Sequence, residues 1–225
     1  MLLVLFDVDG TLLLTDDPLV GRAAAEAAGE IWGADVAPDA LAKLDHAGQT
    51  ALWIGRELAR AAGVPPEMID DGLGRWCGLH ARRYVELLAG ADTTGWRAAD
   101  SAATVLDRLS RPERLALLTG NAEPVARVRM QRLRLDRFFP RGQGAFGCEA
   151  EERSALIALA RRRAGDWPAS ATVAVGDTAE DVAGAHAAGI RVVTVASPRG
   201  DAVEGADARI SSLASLPEAL SSLRP

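Results

Sequence analysis

The stretch Leu2-Leu3-Val4-Leu5-Phe6-Asp7-Val8-Asp9-Gly10-Thr11 runs five apolar residues straight into two carboxylates, a glycine and a threonine. A short apolar run closed by a turn signal predicts a central parallel strand, covered on both faces. In open parallel sheets ligands bind beyond the carboxyl ends of the strands, so Asp7 and Asp9 are expected at the edge where chemistry takes place. Strand alternation returns residues i and i+2 to one side, which would set the two acids together. At about 4 Å and an effective dielectric near 20, two carboxylates repel by roughly 4 kcal/mol, so a cation, a proton or a twist of the chain is required.

Outward from this strand, residues from about Pro18 to Trp96 carry no clear strand signal and three helical patterns. Leu52, Ile54, Leu58, Ala61 and Ala62 form one apolar stripe, and Leu73, Trp76, Cys77, His80, Tyr84, Leu87 and Leu88 a longer one. Four of the five tryptophans (Trp32, Trp53, Trp76, Trp96) fall in this block or at its edge, enough bulk for a small separate core. From about Asp100 the texture changes to alternating helices and short β-rich runs, which predicts βα units and a parallel sheet. Leu115 to Thr119, Thr172 to Val175 and Val192 to Val195 read as strands, with a further short one between Gly142 and Gly147. The expectation is an α/β fold: a Rossmann-like parallel sheet core of residues 1–15 and 97–225, with an all-helical domain of residues 16–96 inserted after the first strand.

Composition narrows the function classes. The chain is 48% hydrophobic and 25% charged, as soluble globular proteins are. A net charge of -6 argues against a general nucleic-acid or anionic-membrane binder. Lys43 is the only lysine, so nearly all positive charge is arginine, and no single arginine stands out. Cys77 and Cys148 fit neither a CxxC nor a zinc spacing, so reduced thiols without a function are the default reading. The N-terminal apolar run is too short for a signal segment, and no stretch approaches about 18 uninterrupted apolar residues, so a cytoplasmic location is expected.

Three strand ends carry polar groups: Asp7 and Asp9 on the first, Thr119-Gly120-Asn121 on the second, Asp177 and Asp181 after the later one. Parallel strands gather these on one edge, where acids from separate strands supply hard oxygen ligands for Mg²⁺. The series Asp-Val-Asp-Gly-Thr, Leu-Leu-Thr-Gly-Asn and Gly-Asp-Thr-Ala-Glu-Asp, in that order and with the insertion after the first, resembles the haloacid dehalogenase-like hydrolase superfamily, in its phosphoglycolate-phosphatase-like branch with a helical cap. Any one of the three alone is a weak signal.

The resemblance implies a Mg²⁺-dependent phosphatase acting on a small phosphorylated metabolite, as a monomer or homodimer. It makes Asp7 the nucleophile that forms an aspartyl-phosphate, and Asp9 the acid and base, with its carbonyl on the metal. An acid at the second position separates phosphohydrolases of the family from its dehalogenases. Thr119, Gly120 and Asn121 would hold the phosphoryl group, against the plainer reading of a Gly-Asn turn. Asp177 would be the later metal ligand and Asp181 its support, against a first-turn acid that complements a helix dipole. The family lysine is missing. Arg153, in Phe146-Gly147-Cys148-Glu149-Ala150-Glu151-Glu152-Arg153, is the candidate substitute, a planar fork in place of a point charge.

His46-Ala47-Gly48-Gln49-Thr50-Ala51 is similar to the family's cap specificity loop, with Gly48, Gln49 and Thr50 as substrate-binding candidates. Arg82 and Arg83 read as an exposed helix face, Trp53 and Trp76 as cap core, and His80 and His186 as packing residues. Ser197-Pro198-Arg199-Gly200 follows a strand and is placed to line the site. Two alternatives stay open: a phosphomutase of the same family, and a non-catalytic phosphate-binding regulatory module, whose sole support is the missing lysine.

Overall fold

A computed structural model describes residues 1–224. Six strands, β1 (Leu3–Phe6), β2 (Arg114–Thr119), β3 (Ala145–Phe146), β4 (Thr172–Gly176), β5 (Arg191–Val195) and β6 (Ala208–Ile210), form one sheet in the order β3-β2-β1-β4-β5-β6. Every neighbouring pair is parallel. The opening strand is central and wholly buried. Its Phe6 lies level with Leu117 of β2 and Val175 of β4, so Asp7, Thr119 and Asp177 leave the sheet at nearly one height.

Alternation along β1 splits the core into two layers. Leu2, Val4 and Phe6 pack with α4 (Ala102–Leu109), α5 (Glu123–Arg132) and α8 (Leu216–Ser222), whereas Leu3 and Leu5 pack with α6 (Arg153–Arg163) and α7 (Ala179–Ala187). Both faces are therefore covered, as the continuous apolar run requires. The α/β Rossmann-like expectation matches this architecture.

Between β1 and α4 run α1 (Leu19–Trp32), α2 (Ala51–Ala61) and α3 (Pro66–Ala89). Their shared core holds Trp32, Leu58, Ile69, Leu73 and Trp76. The Trp32 and Trp76 rings stack at 6.0 Å, and Trp76 Nε1 donates to the Ala24 carbonyl at 3.2 Å. A second cluster, with Ala81, Tyr84 and Leu88 against Ala122 and Val125, seats α3 on α5. The two crossing segments meet where Leu14 N donates to the Arg97 carbonyl at 2.9 Å and Arg97 N to Thr15 Oγ1 at 2.9 Å.

Four details depart from the sequence reading. Of the expected α2 stripe Leu58 is buried but Ala61 and Ala62 are exposed, and Ala51, Gly55 and Ala59 are buried in addition, with the Trp76 ring against Gly55. The strand β6 is short, with the sequence Ala-Arg-Ile and one exposed residue, and gives no alternation to read. His186 is exposed and does not pack. Cys77 of α3 and Cys148 after β3 form a disulfide with Cα atoms 5.9 Å apart, which overturns the reading of reduced thiols and removes its support for a cytoplasmic location. The docking of α3 on the sheet brings together what 71 residues separate in sequence. Among the described residues no helix is long and apolar enough to cross a membrane.

Candidate active site

Asp7 is the first residue past β1 and is 5% exposed. Its odd position points it to the α6 and α7 side, where Arg153 opens α6. Arg153 Nη2 lies 3.1 Å from Asp7 Oδ1 and also pairs with Asp181. Its Nη1 donates to the Gly48 carbonyl at 2.9 Å, while its buried Nε has no partner. Arg153 thus lies beside Asp7 and joins it to the Gly48 loop.

Asp181 lies in the first turn of α7 and bonds to the backbone at its start. Its Oδ2 accepts from Asp177 N at 3.2 Å, Thr178 N at 3.0 Å and Thr178 Oγ1 at 2.6 Å, while Thr178 Oγ1 accepts from Asp181 N at 3.2 Å. This is a capping box that starts α7. Its other oxygen goes to Arg153. Both oxygens of Asp181 are thus engaged within the protein.

The two acids of the opening motif do not share one environment. The last inter-strand bond of β1 runs from Asp7 N to the Val175 carbonyl at 2.9 Å, and beyond it the Leu12 and Leu13 amides fold back onto the Val8 carbonyl at 2.8 Å each. Asp9 consequently turns toward α5, where Arg129 Nη1 lies 2.7 and 2.8 Å from its two carboxylate oxygens and Asn121 Nδ2 donates to one of them. The twist of the chain, together with one arginine for each acid, relieves the repulsion that simple alternation implied.

Arg129 is 2% exposed and was not legible as a site residue, because it lies in an arginine-rich helix with no marked polarity. Its Nε donates to Tyr84 Oη at 2.9 Å and its Nη2 to Asp17 Oδ2 at 3.1 Å. Tyr84 in turn donates to Asp17. The network joins Asp9 to the segment before α1 and to α3, so the acid's position depends on how the helical segment sits.

Burial pushes the Asp7 carboxyl up to about 8, with Arg153 opposing and Asp181, Asp177 and Asp9 adding to the rise. Burial likewise raises Asp177, against Arg199. Carboxylate oxygens of Asp7, Asp177 and Asp181 lie within 4.8 Å of one another. A protein cation marks the same spot: Arg199 Nη1 lies 2.6 Å from the Asp9 carbonyl oxygen and 2.8 Å from Asp177 Oδ2. Gly10, at φ +90, is required there, because a Cβ would overlap the Asp177 carboxylate and the Arg199 guanidinium. Hard oxygen donors with raised carboxyl pKa values suit a hard divalent cation.

The remaining candidates gather beside Asp7. Thr119 Oγ1 accepts from Asn121 N at 3.3 Å and Asn121 Nδ2 at 3.0 Å. The Gly48 to Ala51 loop sits directly on the sheet edge, with Ala51 N donating to the Gly120 carbonyl at 2.7 Å and Leu52 N to the Gly147 carbonyl at 3.0 Å. Gly120 permits that approach, since a Cβ would strike the Gln49 carbonyl. Thr50 is otherwise employed: its hydroxyl caps α2 by accepting from Trp53 N at 3.2 Å and donates to the Glu151 carbonyl at 3.0 Å. A cavity of about 830 Å³ opens on Asp7, Asp9, Thr119, Gly120 and Asn121, with Gly48, Gln49, His46, Pro198 and Arg199 around it. Thr50, Arg82, Arg83, Trp53 and Trp76 do not line it.

A family model described as haloacid dehalogenase-like hydrolase matches residues 1–189. No curated protein matches the chain. Among solved structures, CbbY from Rhodobacter sphaeroides in complex with phosphate aligns with a TM-score of 0.69 at 24% identity, covering 96% of each chain. A putative β-phosphoglucomutase from Bacteroides vulgatus aligns at 0.66 with 16% identity, over 100% of this chain and 91% of that one. A predicted phosphoglycolate phosphatase from Haemophilus somnus aligns at 0.62 with 16% identity, over 96% of each. At these identities the likeness is one of fold.

Proposed function

The chain belongs to the haloacid dehalogenase-like hydrolases, and we propose that it is a Mg²⁺-dependent phosphohydrolase that cleaves a small-molecule phosphate monoester through an aspartyl-phosphate on Asp7. The observation that carries this reading is the placement of Asp7, buried at the end of the central strand, 3.1 Å from the Arg153 guanidinium and at the wall of the cavity.

In this reading Asp7 attacks phosphorus, and splitting one displacement into two lowers each barrier. Asp9 gives a proton to the departing alkoxide and then takes one from the water that hydrolyses the aspartyl-phosphate. Arg129 and Asn121 fix the position of the Asp9 carboxyl beside Asp7 and, both being donors, suit its charged form, the one that takes the proton from water. Arg153 offsets the charge gathered on Asp7 and the phosphoryl oxygens, in the role that a lysine has elsewhere in the family. Thr119 and Asn121 offer hydroxyl and amide donors, and the bare Gly120 backbone lets the phosphoryl group come close. The Asp7 carboxylate, the Asp9 carbonyl and Asp177 would hold Mg²⁺, which when bound supplies charge neutralisation at the phosphoryl oxygens. We read residues 1–15 and 97–225 as the catalytic core, and residues 16–96 as a cap whose Gly48-Gln49 loop touches the substrate.

A phosphate-release screen over many monoesters, with Mg²⁺ or EDTA and with Asp7→Asn as control, tests the reading. Metal-dependent release that disappears in Asp7→Asn is expected. No release from any ester by folded wild-type protein overturns it, and conversion of a sugar phosphate to its isomer without free phosphate identifies a mutase instead.

A further inference from the structure

We infer that the site takes phosphate monoesters of an uncharged, mainly apolar alcohol, and discriminates against substrates that carry a second anionic group. The inference rests on the phosphohydrolase reading of the same site and concerns the part of the cavity that the phosphoryl chemistry leaves unused.

At about 830 Å³ the cavity holds far more than a phosphate, and falls within the range of pockets that enclose drug-sized organic ligands. The wall away from Asp7 comes from the segment before α1, from α1 itself, from the turn Leu41–Lys43 and from the start of α2. Leu14, Val20, Ala24, Leu41 and Ile54 are its apolar face. Such a surface is best satisfied by carbon.

Three acids, Asp16, Asp17 and Asp39, line this wall, against two arginines, Arg22 and Arg129. Each cation near this wall already has a carboxylate partner, and Arg199, at the opposite end beside the phosphoryl chemistry, lies 2.8 Å from Asp177 Oδ2. Arg129 is spent on Asp9 and Asp17. Arg22 turns to Glu26 at 2.9 Å on the helix surface, and Lys43 to Asp39 at 2.9 Å in the open. His80 is buried in the wall, its ring stacked on Trp76 at 5.1 Å. Burial, with help from Arg129, pushes it down to about 4 against the pull of the Val20 backbone. Neither of its ring nitrogens makes a hydrogen bond of proper geometry. A second anion on the substrate would thus meet no unpaired cation and would face Asp16, beside the paired Asp17 and Asp39.

A matched pair isolates the charge from the shape: benzyl phosphate and its para-carboxylate, compared by kcat/KM with Mg²⁺ at pH 7.5 (about the range where both are fully ionised). The corresponding phosphonates, which are not hydrolysed, are compared by calorimetric binding to the wild-type protein. The neutral member is expected to lead by roughly tenfold or more in both measures. A lead below about threefold, or a preference for the carboxylate, overturns the inference and leaves the phosphohydrolase reading intact. Absence of turnover on every ester overturns that reading instead, and the phosphonate binding ratio then decides the inference alone, with failure of both phosphonates to bind also counting against it.

Discussion

Replacing Asp7 by asparagine should stabilise the metal-free protein, although it removes the proposed nucleophile. With oxygens of Asp177 and Asp181 within 4.8 Å of that of Asp7, each acid repels an ionised Asp7 by about 3.5 kcal/mol at an effective dielectric of 20. Together that is about 7 kcal/mol. Arg153 at 3.1 Å returns about 5 kcal/mol on the same scale. The remainder, about 2 kcal/mol, adds to the cost of burying the charge, so a gain of roughly 2–5 kcal/mol is expected where wild-type Asp7 is ionised. The sign with pH follows from the carboxyl being raised to about 8 in the folded state. Between about pH 4 and pH 8 the folded chain keeps a proton that the unfolded chain has lost, so wild-type stability falls as pH rises. The asparagine variant has no such slope. Urea unfolding in EDTA should therefore show Asp7→Asn well ahead of wild type near pH 8 and nearly level near pH 4.5 (about the lower end of that window). Mg²⁺ should close the gap by stabilising wild type more than the variant. A variant no more stable than wild type at pH 8 without metal, or a gap that does not shrink on acidification, refutes the reasoning.

Arg153→Met strands two buried carboxyl groups and should cost about 3 kcal/mol or more in denaturant unfolding near neutral pH. Arg153→Lys should fall between it and wild type in both stability and phosphate release, since one ammonium cannot reach Asp7, Asp181 and the Gly48 carbonyl together. Because Arg199 sits on the Asp9 carbonyl and Asp177, Arg199→Ala should bind Mg²⁺ more tightly by calorimetry, by about tenfold for the loss of one competing charge; equal or weaker binding contradicts the shared position. Reduction, or Cys77→Ser, opens a loop that joins residues 71 apart and should cost about 2–4 kcal/mol in unfolding experiments; an unchanged unfolding midpoint on reduction refutes the pairing.

The sheet and the acids at its edge were legible because β1, β2 and β4 are unbroken apolar runs that end in polar turns, a pattern set by burial on both faces. Arg153 was singled out only through the family resemblance, as a stand-in for the missing lysine, and the residues around it carry no signal of their own. What escaped depends on three-dimensional neighbours. Arg129 reads like any other arginine of its helix until α3 and Asp17 close around it. The division of Asp7 from Asp9 needed the turn at Gly10, which alternation along a strand does not describe. Thr50 was offered as a substrate contact and is a helix cap, a use that its place just before α2 also signals. The disulfide was hidden because neither cysteine has a local partner, and β6 because three residues with one exposed arginine carry no period.

The central claim is that Asp7 becomes phosphorylated during turnover. Wild-type protein mixed with a hydrolysable monoester and Mg²⁺, quenched in acid and digested, should yield a phosphorylated peptide whose modification lies on Asp7 and is lost on treatment with hydroxylamine. Release of phosphate at an undiminished rate by Asp7→Asn, or a phosphoryl group trapped on any other residue, contradicts it.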